Sequence, residues 1–151
     1  MESVIIPNDE SMRALGVKIG AALHGGEVFE LIGDVGAGKT TFVKGLAAGL
    51  AIDDDVQSPS FTINRRYKGR DELTLSHYDF YRLNDAGIMN MEVAESLSEP
   101  GTITVVEWGE SIKDVLPSSR IVITINYLPD EGRTVEIQLP ESAGYLNDTM
   151  E

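Results

Sequence analysis

The sequence predicts an α/β fold of the P-loop NTPase type, three-layered and built on a mixed sheet. Three observations carry that prediction. Residues Gly33 to Thr40 read GDVGAGKT, which fits the G-x-x-x-x-G-K-[ST] pattern of a phosphate-binding loop. The loop has the context it requires: the apolar run Glu27-Val-Phe-Glu-Leu-Ile32 before it, and Phe42, Val43, Leu46, Ala47 and Leu50 at helical spacing after it. Two hairpin patterns also fall within a chain of 151 residues, so parallel central strands must be joined by antiparallel additions.

Taken in order, Val4-Ile5-Ile6 forms a first short strand stopped by Pro7. Asn8, Asp9 or Ser11 caps a helix whose buried face is Met12, Leu15, Ile19, Ala22 and Leu23. His24-Gly25-Gly26 ends it, with glycine available for a left-handed C-cap. The strand, loop and helix of the phosphate motif follow. Ile52 to Ser60 is a polar connector, and its three aspartates read as a solvated loop. Phe61–Tyr67 and Leu73–Tyr81 alternate as an antiparallel hairpin around Lys68-Gly69-Arg70-Asp71. Asn84 or Asp85 caps a helix reaching about Leu97, with Ile88, Met91, Ala94 and Leu97 as its apolar stripe. Thr102 to Val106 is a β-branched run with the character of a buried central strand. Ile121–Tyr127 and Arg133–Leu139 form the last hairpin. Residues 1–140 thus read as a single domain, and 141–151 as a frayed tail.

Composition bounds the function. With no cysteine there is no disulfide, thiolate metal site or cysteine nucleophile. No run has the length of a membrane span and the amino terminus has no signal-peptide character, which fits a cytoplasmic protein. The formal charge of −13 opposes direct, tight contact with a nucleic-acid backbone. Basic residues cluster once, at Arg65, Arg66, Lys68 and Arg70, as a solvated turn, a docking surface or a phosphate lid.

In the motif itself, Gly33, Gly36 and Gly38 allow positive φ, so that the backbone curls and turns its amides inward as an anion nest. Asp34, Val35, Ala37 and Thr41 complete the loop and the first turn of the helix, whose positive end adds to the attraction. Lys39 reaches the outer phosphates and Thr40 offers a hydroxyl to Mg²⁺. Such a site also needs an acidic Mg²⁺ anchor and a group to position the attacking water or acceptor. Glu107, at the carboxyl end of the Thr102–Val106 strand, and Asp79, in His77-Tyr-Asp-Phe-Tyr-Arg82, are the two candidates. The alternatives are a surface carboxylate for Glu107 and a hairpin salt bridge to Arg82 for Asp79. Trp108, the only tryptophan, either packs in the core or faces the nucleotide. No Asn-Lys-x-Asp string reads a guanine base, which favours ATP.

Four strings, GDVGAGKTTF, SPSFTI (58–63), HYDFYRL (77–83) and VVEWGE (105–110), together resemble the TsaE/YjeE family in order and spacing, over most of the chain from Glu27 to about Leu139. The resemblance implies a small bacterial P-loop ATPase. It would act with the TsaB and TsaD proteins in making threonylcarbamoyladenosine in tRNA, with tRNA met only through that complex. By the same resemblance Gly33–Thr41 is the phosphate loop and Ser58–Thr62 a switch-like segment, with Thr62 sensing the γ-phosphate or Mg²⁺. Asp79 and Glu107 match the acidic positions, and Trp108 the tryptophan of the nucleotide site. Ser60 stands where the family usually has threonine, and the segment after Leu83 is less acidic and leucine-rich than usual. No arginine finger is marked in cis, Arg65, Arg66 and Arg82 being unranked candidates, so hydrolysis by the isolated chain is expected to be slow. A small-molecule kinase with an arginine-rich lid is the main alternative, and a non-hydrolysing nucleotide-dependent binding module a third.

Overall fold

The computed structural model describes residues 2–34, 36–53, 56, 64–80, 90–108, 115–130 and 132–150. Its elements are β1 (Glu2–Ile6), α1 (Asp9–Ala22), β2 (Val28–Ile32), α2 (Lys39–Gly49), β3 (Asn64–Lys68), β4 (Thr74–Asp79), α3 (Asn90–Ser98), β5 (Thr102–Glu107), β6 (Ile121–Tyr127) and β7 (Arg133–Gln138). Short 3-10 turns cover Arg70–Glu72 and Glu141–Met150. One seven-stranded sheet has the order β1-β7-β6-β2-β5-β4-β3. β6, β2, β5 and β4 run parallel, while β3 and the β7–β1 pair add antiparallel edges. This is the mixed sheet that the two hairpin patterns require.

Strand alternation divides the apolar residues between two layers. Phe29, Leu31, Val105 and Ile123 join Met12, Ile19, Phe42 and Leu46 of α1 and α2 in the main core. Val28, Tyr78, Phe80 and Val106 turn the other way, against Val93 of α3 and Leu116. Glu30 shares the Val28 face of β2 and is buried there because Arg120 Nε donates to it at 2.8 Å. β5, covered on both faces, is buried along its whole length.

α1 starts where expected: Asn8 is its N-cap, and its Oδ1 accepts the Ser11 N–H at 2.8 Å. Its buried face includes two residues that the apolar pattern passed over, Gly16 and Gly20. A Cβ on Gly16 would stand 2.4 Å from the Phe42 carbonyl oxygen, and one on Gly45 2.2 Å from that of Arg13. The two helices therefore meet backbone to backbone, which fixes α2 and the loop in front of it. α1 ends differently from expectation. Its C-cap is Leu23 in extended conformation, and the left-handed glycines, Gly25 and Gly26, come only after it. Instead, Arg70 Nη2 donates to the carbonyls of Gly20, Ala21 and Leu23 at 3.0, 2.9 and 3.1 Å. A guanidinium from the β3–β4 turn takes the place of a glycine cap.

Two further expectations are corrected. The apolar stripe of α3 is only partly in phase: Leu97 packs against the second core as expected, but Met91 is 78% exposed and Ala94 is exposed, while Val93 and Ser96 are buried. Ser96 can face inward because its hydroxyl bonds that of Thr104 at 3.2 Å. Ile88 and the proposed caps Asn84 and Asp85 lie outside the described residues. The final segment, expected to be frayed, is packed where it is described. Ala143 and Leu146 are buried in the main core, the Tyr145 ring stacks on His24 at 4.2 Å, and its hydroxyl donates to the Glu27 carboxylate. Scattered apolar residues in a polar tail found a surface to cover. Among the described residues, no helix is long and apolar enough to cross a membrane.

Candidate functional site

The parallel strands β2, β5 and β4 bring their carboxyl ends to one edge of the sheet. There Leu31 pairs with Glu107, and Glu107 in turn with Asp79. The loop that follows β2 therefore opens beside both carboxylates. Positive φ occurs at Gly36 (83°) and Gly38 (111°), but not at Gly33. Gly33 answers to space instead, since a Cβ there would stand 3.0 Å from the Ile125 carbonyl oxygen. Gly38 is the N-cap of α2 and has no side chain to offer the first-turn N–H groups, which helix geometry leaves facing outward. Ala37 is buried and donates its N–H to the Asp34 carbonyl at 3.0 Å. Thr40 and Thr41 are half-buried in the first turn of α2, and Asp34 is exposed.

Lys39 sits at the centre. It is 6% exposed. Its Nζ donates to the Gly33 carbonyl at 2.5 Å, lies 3.9 Å from Glu107 Oε1 and stands 4.3 Å above the Trp108 ring centroid. Burial holds its pKa below the ordinary lysine value, against the opposing pull of Glu107, Asp79 and Asp34. Glu107 is 2% exposed, and its second oxygen lies 2.5 Å from His77 Nε2. His77 is fully buried, two residues before Asp79 on the same face of β4, and its Nδ1 has no hydrogen-bond partner among the described residues. The ring thus donates through Nε2 to the carboxylate. Asp79 is buried next to Glu107. Trp108 takes a left-handed φ of 59° straight after β5 and remains 37% exposed. A left-handed turn at so large a residue costs on the order of 1–2 kcal/mol, and here it turns the indole over Lys39 rather than into the core.

Asp34, Gly36, Ala37, Gly38, Lys39, Thr40 and Thr41 are thus gathered with Asp79, Glu107 and Trp108 around one loop. Glu107 is no surface carboxylate. Val35, Thr62, the rest of Ser58–Thr62 and Arg82 lie outside the described residues. The basic cluster is largely engaged elsewhere: Arg66 pairs with Glu99 at 2.5 Å and Arg70 caps α1. Three residues were not singled out in the sequence. His77 was legible as the residue two before Asp79 on one strand face; Tyr127 and Arg133 depend on the β6–β7 register, which no local pattern reveals.

A cleft of about 230 Å³ adjoins the loop, between Ile32, Gly33, Asp34, Trp108, Thr124 and Tyr127. A larger one, about 480 Å³, opens at the opposite end of the sheet beside His24, Val28, Ile121 and Tyr145. Its Glu27 carboxylate is already taken by the His24 and Gly25 N–H groups and the Tyr145 hydroxyl. The smaller cleft is the one that shares the chemistry of the loop.

A family model described as Threonylcarbamoyl adenosine biosynthesis protein TsaE matches residues 6–135, from the end of β1 to the start of β7. The chain belongs to the TsaE family. That family serves the biosynthesis of threonylcarbamoyladenosine in tRNA. Among curated proteins named tRNA threonylcarbamoyladenosine biosynthesis protein TsaE, that of Treponema pallidum is 39% identical over 123 residues, covering 81% of this chain and 89% of its own. That of Bacillus subtilis is 38% identical over 128 residues, covering 85% and 79%. The crystal structure of Bacillus subtilis YdiB superposes with a TM-score of 0.81 at 32% identity, over 99% of this chain and 93% of that one. The matched span contains every candidate site residue named above.

Proposed function

We propose that this TsaE-family chain binds ATP with Mg²⁺ in the Gly33–Thr41 loop and hydrolyses it slowly, as an accessory in threonylcarbamoyladenosine modification of tRNA. The observation that carries the reading is the buried chain Lys39–Glu107–His77, set against Asp79 at the mouth of a glycine loop. The loop fits a polyphosphate: left-handed Gly36 and Gly38 curve the backbone, and the first-turn N–H groups of α2 have no side-chain cap from Gly38. Lys39 would leave the Gly33 carbonyl for the outer phosphates, because an ammonium drawn into a dry site gains more from a phosphate than from a peptide oxygen.

Among the described residues no cluster of three acidic or histidine side chains could hold a metal unaided. Mg²⁺ suits such a site, being content with a hydroxyl, one carboxylate and phosphate oxygens. Thr40 and one of Glu107 and Asp79 would hold it, and it would supply charge neutralisation at the phosphates. The other carboxylate would orient the attacking water and accept its proton. The bond from the γ-phosphorus to its bridging oxygen breaks as the water oxygen bonds to phosphorus, giving ADP and phosphate.

TsaB and TsaD proteins are the proposed partners, in keeping with the family resemblance, and the charge of −13 suits a protein that meets tRNA only through them. The kinase alternative loses its support, since Arg66 and Arg70 of its supposed lid are held by Glu99 and by α1. Binding and phosphate release measured separately for Lys39→Ala and Glu107→Ala test the proposal. Lys39→Ala should lose both, and Glu107→Ala should bind ATP but release little phosphate. Wild-type behaviour from both variants would put the site elsewhere. Recovery of TsaB and TsaD by pull-down with and without ATP tests the partnership.

A further inference from the structure

The phosphate loop is braced from outside its own strand–loop–helix unit. β7 runs antiparallel to β6, so its first residue, Arg133, comes to the sheet edge where Gly33 lies, in register with Tyr127. Arg133 Nε donates to the Ala37 carbonyl at 3.1 Å, and Nη1 donates to the carbonyl of Gly132 at 3.1 Å. The guanidinium carbon stands 4.2 Å from the centroid of the Tyr127 ring. Ring and carbonyl together set the plane of the guanidinium, and so the direction of its Nε–H. Tyr127 also borders the loop directly, for a Cβ on Gly36 would come 3.2 Å from its hydroxyl.

The contact falls on the one peptide group where direction matters most. In a planar trans peptide the C=O and the next N–H point opposite ways. A guanidinium that fixes the Ala37 carbonyl therefore fixes the Gly38 N–H as well, pointing the opposite way. Gly38 sits at φ 111°, a conformation that no side chain of its own secures. Hydrogen bonding at the carbonyl also polarises that peptide and makes its N–H a stronger donor. We propose that Arg133 is a positioning residue for phosphate binding, which presets the Gly38 amide and adds positive charge beside the loop of a strongly acidic chain. This rests on the ATP-binding reading and adds to it a residue 96 positions beyond the peptide it orients.

The test compares full-length wild type, Arg133→Gln and Arg133→Lys by titration with ATP and Mg²⁺, with melting of the nucleotide-free proteins and amide exchange of Gly38 alongside. Loss of a charged hydrogen bond to the loop should weaken ATP binding about tenfold or more in both variants. The lysine variant belongs with the glutamine one, because it keeps the charge but not the planar fork. KM should rise while kcat at saturation stays within about twofold. Gly38 should exchange faster, and exchange along β4 and β5 should be unchanged. The inference is overturned if Arg133→Lys binds ATP like the wild type, if Arg133→Gln leaves affinity and Gly38 exchange unchanged, or if weaker binding comes only with a general loss of folded structure. Wild type that fails to bind ATP would refute the nucleotide reading instead, and the exchange of Gly38 would still decide whether Arg133 orders that peptide.

Discussion

Replacing His77 by leucine removes the 2.5 Å hydrogen bond to Glu107 Oε2 and leaves that carboxylate, 2% exposed, facing an apolar side chain. Lys39 Nζ, at 3.9 Å from the other oxygen, is too distant for a hydrogen bond and compensates only in part. A hydrogen bond to a charged group contributes about 1.5–3 kcal/mol. At about 2–4 °C per kcal/mol for a domain of this size, the variant should melt roughly 3–12 °C lower. Phosphate release at saturating ATP should fall about 10- to 100-fold, because Glu107 is no longer held in place. ATP affinity should stay within about threefold, since the phosphate loop is untouched. The assay is a cycle of wild type, His77→Leu, Glu107→Ala and the double variant, with melting, ATP binding and phosphate release measured on each. If His77 acts through Glu107, the double variant releases phosphate no more slowly than Glu107→Ala alone. Losses that add to within about 0.5 kcal/mol would refute the coupling, as would a His77→Leu protein with wild-type turnover.

Other consequences bear on the frame of the site. Arg70→Ala removes the guanidinium from three carbonyls at the end of α1; stability should drop by about 1–2 kcal/mol, seen by melting, with kcat unchanged. A collapse of turnover in a well-folded Arg70→Ala protein would restore the lid reading. Gly45→Ala sets helix propensity, a gain of about 1 kcal/mol, against a Cβ 2.2 Å from the Arg13 carbonyl oxygen. Backbone cannot yield as a side chain can, so the clash should win and denaturant melting should show a net loss of roughly 1–3 kcal/mol. A more stable Gly45→Ala protein would contradict the backbone contact between α1 and α2.

What could be read from the sequence was what short-range chemistry decides. The strand and helix that flank GDVGAGKT, the β-branched run Thr102–Val106, and Asn8 as one of three candidate caps are local patterns, and these stand in the structure as expected. Of the three loop glycines, Gly33 does not take the positive φ expected of it. The errors lie where a distant partner decides the outcome. Arg70 reads as a solvated charge until α1 is seen to end against it, 47 to 50 residues away. Ser96 could be placed on the buried face of α3 only by knowing that Thr104 would meet its hydroxyl. Leu146 and Ala143 look like stray apolar residues until the main core is there to receive them. In the site, Lys39 followed from the motif, Glu107 from the end of a strand, and Asp79 from its place in a strand dense with functional side chains. The clamps of His77 on Glu107 and of Arg133 on Ala37 required the pairing of β4 with β5 and of β6 with β7.

The central claim is that the Gly33–Thr41 loop of this TsaE-family protein holds ATP through its amides and Lys39. Calorimetric titration of ATP with Mg²⁺ into wild type and Lys39→Ala, repeated with GTP, measures this most directly. The account predicts saturable one-site binding that prefers ATP to GTP and weakens at least about tenfold in Lys39→Ala. No binding by the wild type, or equal binding by the two proteins, would contradict it.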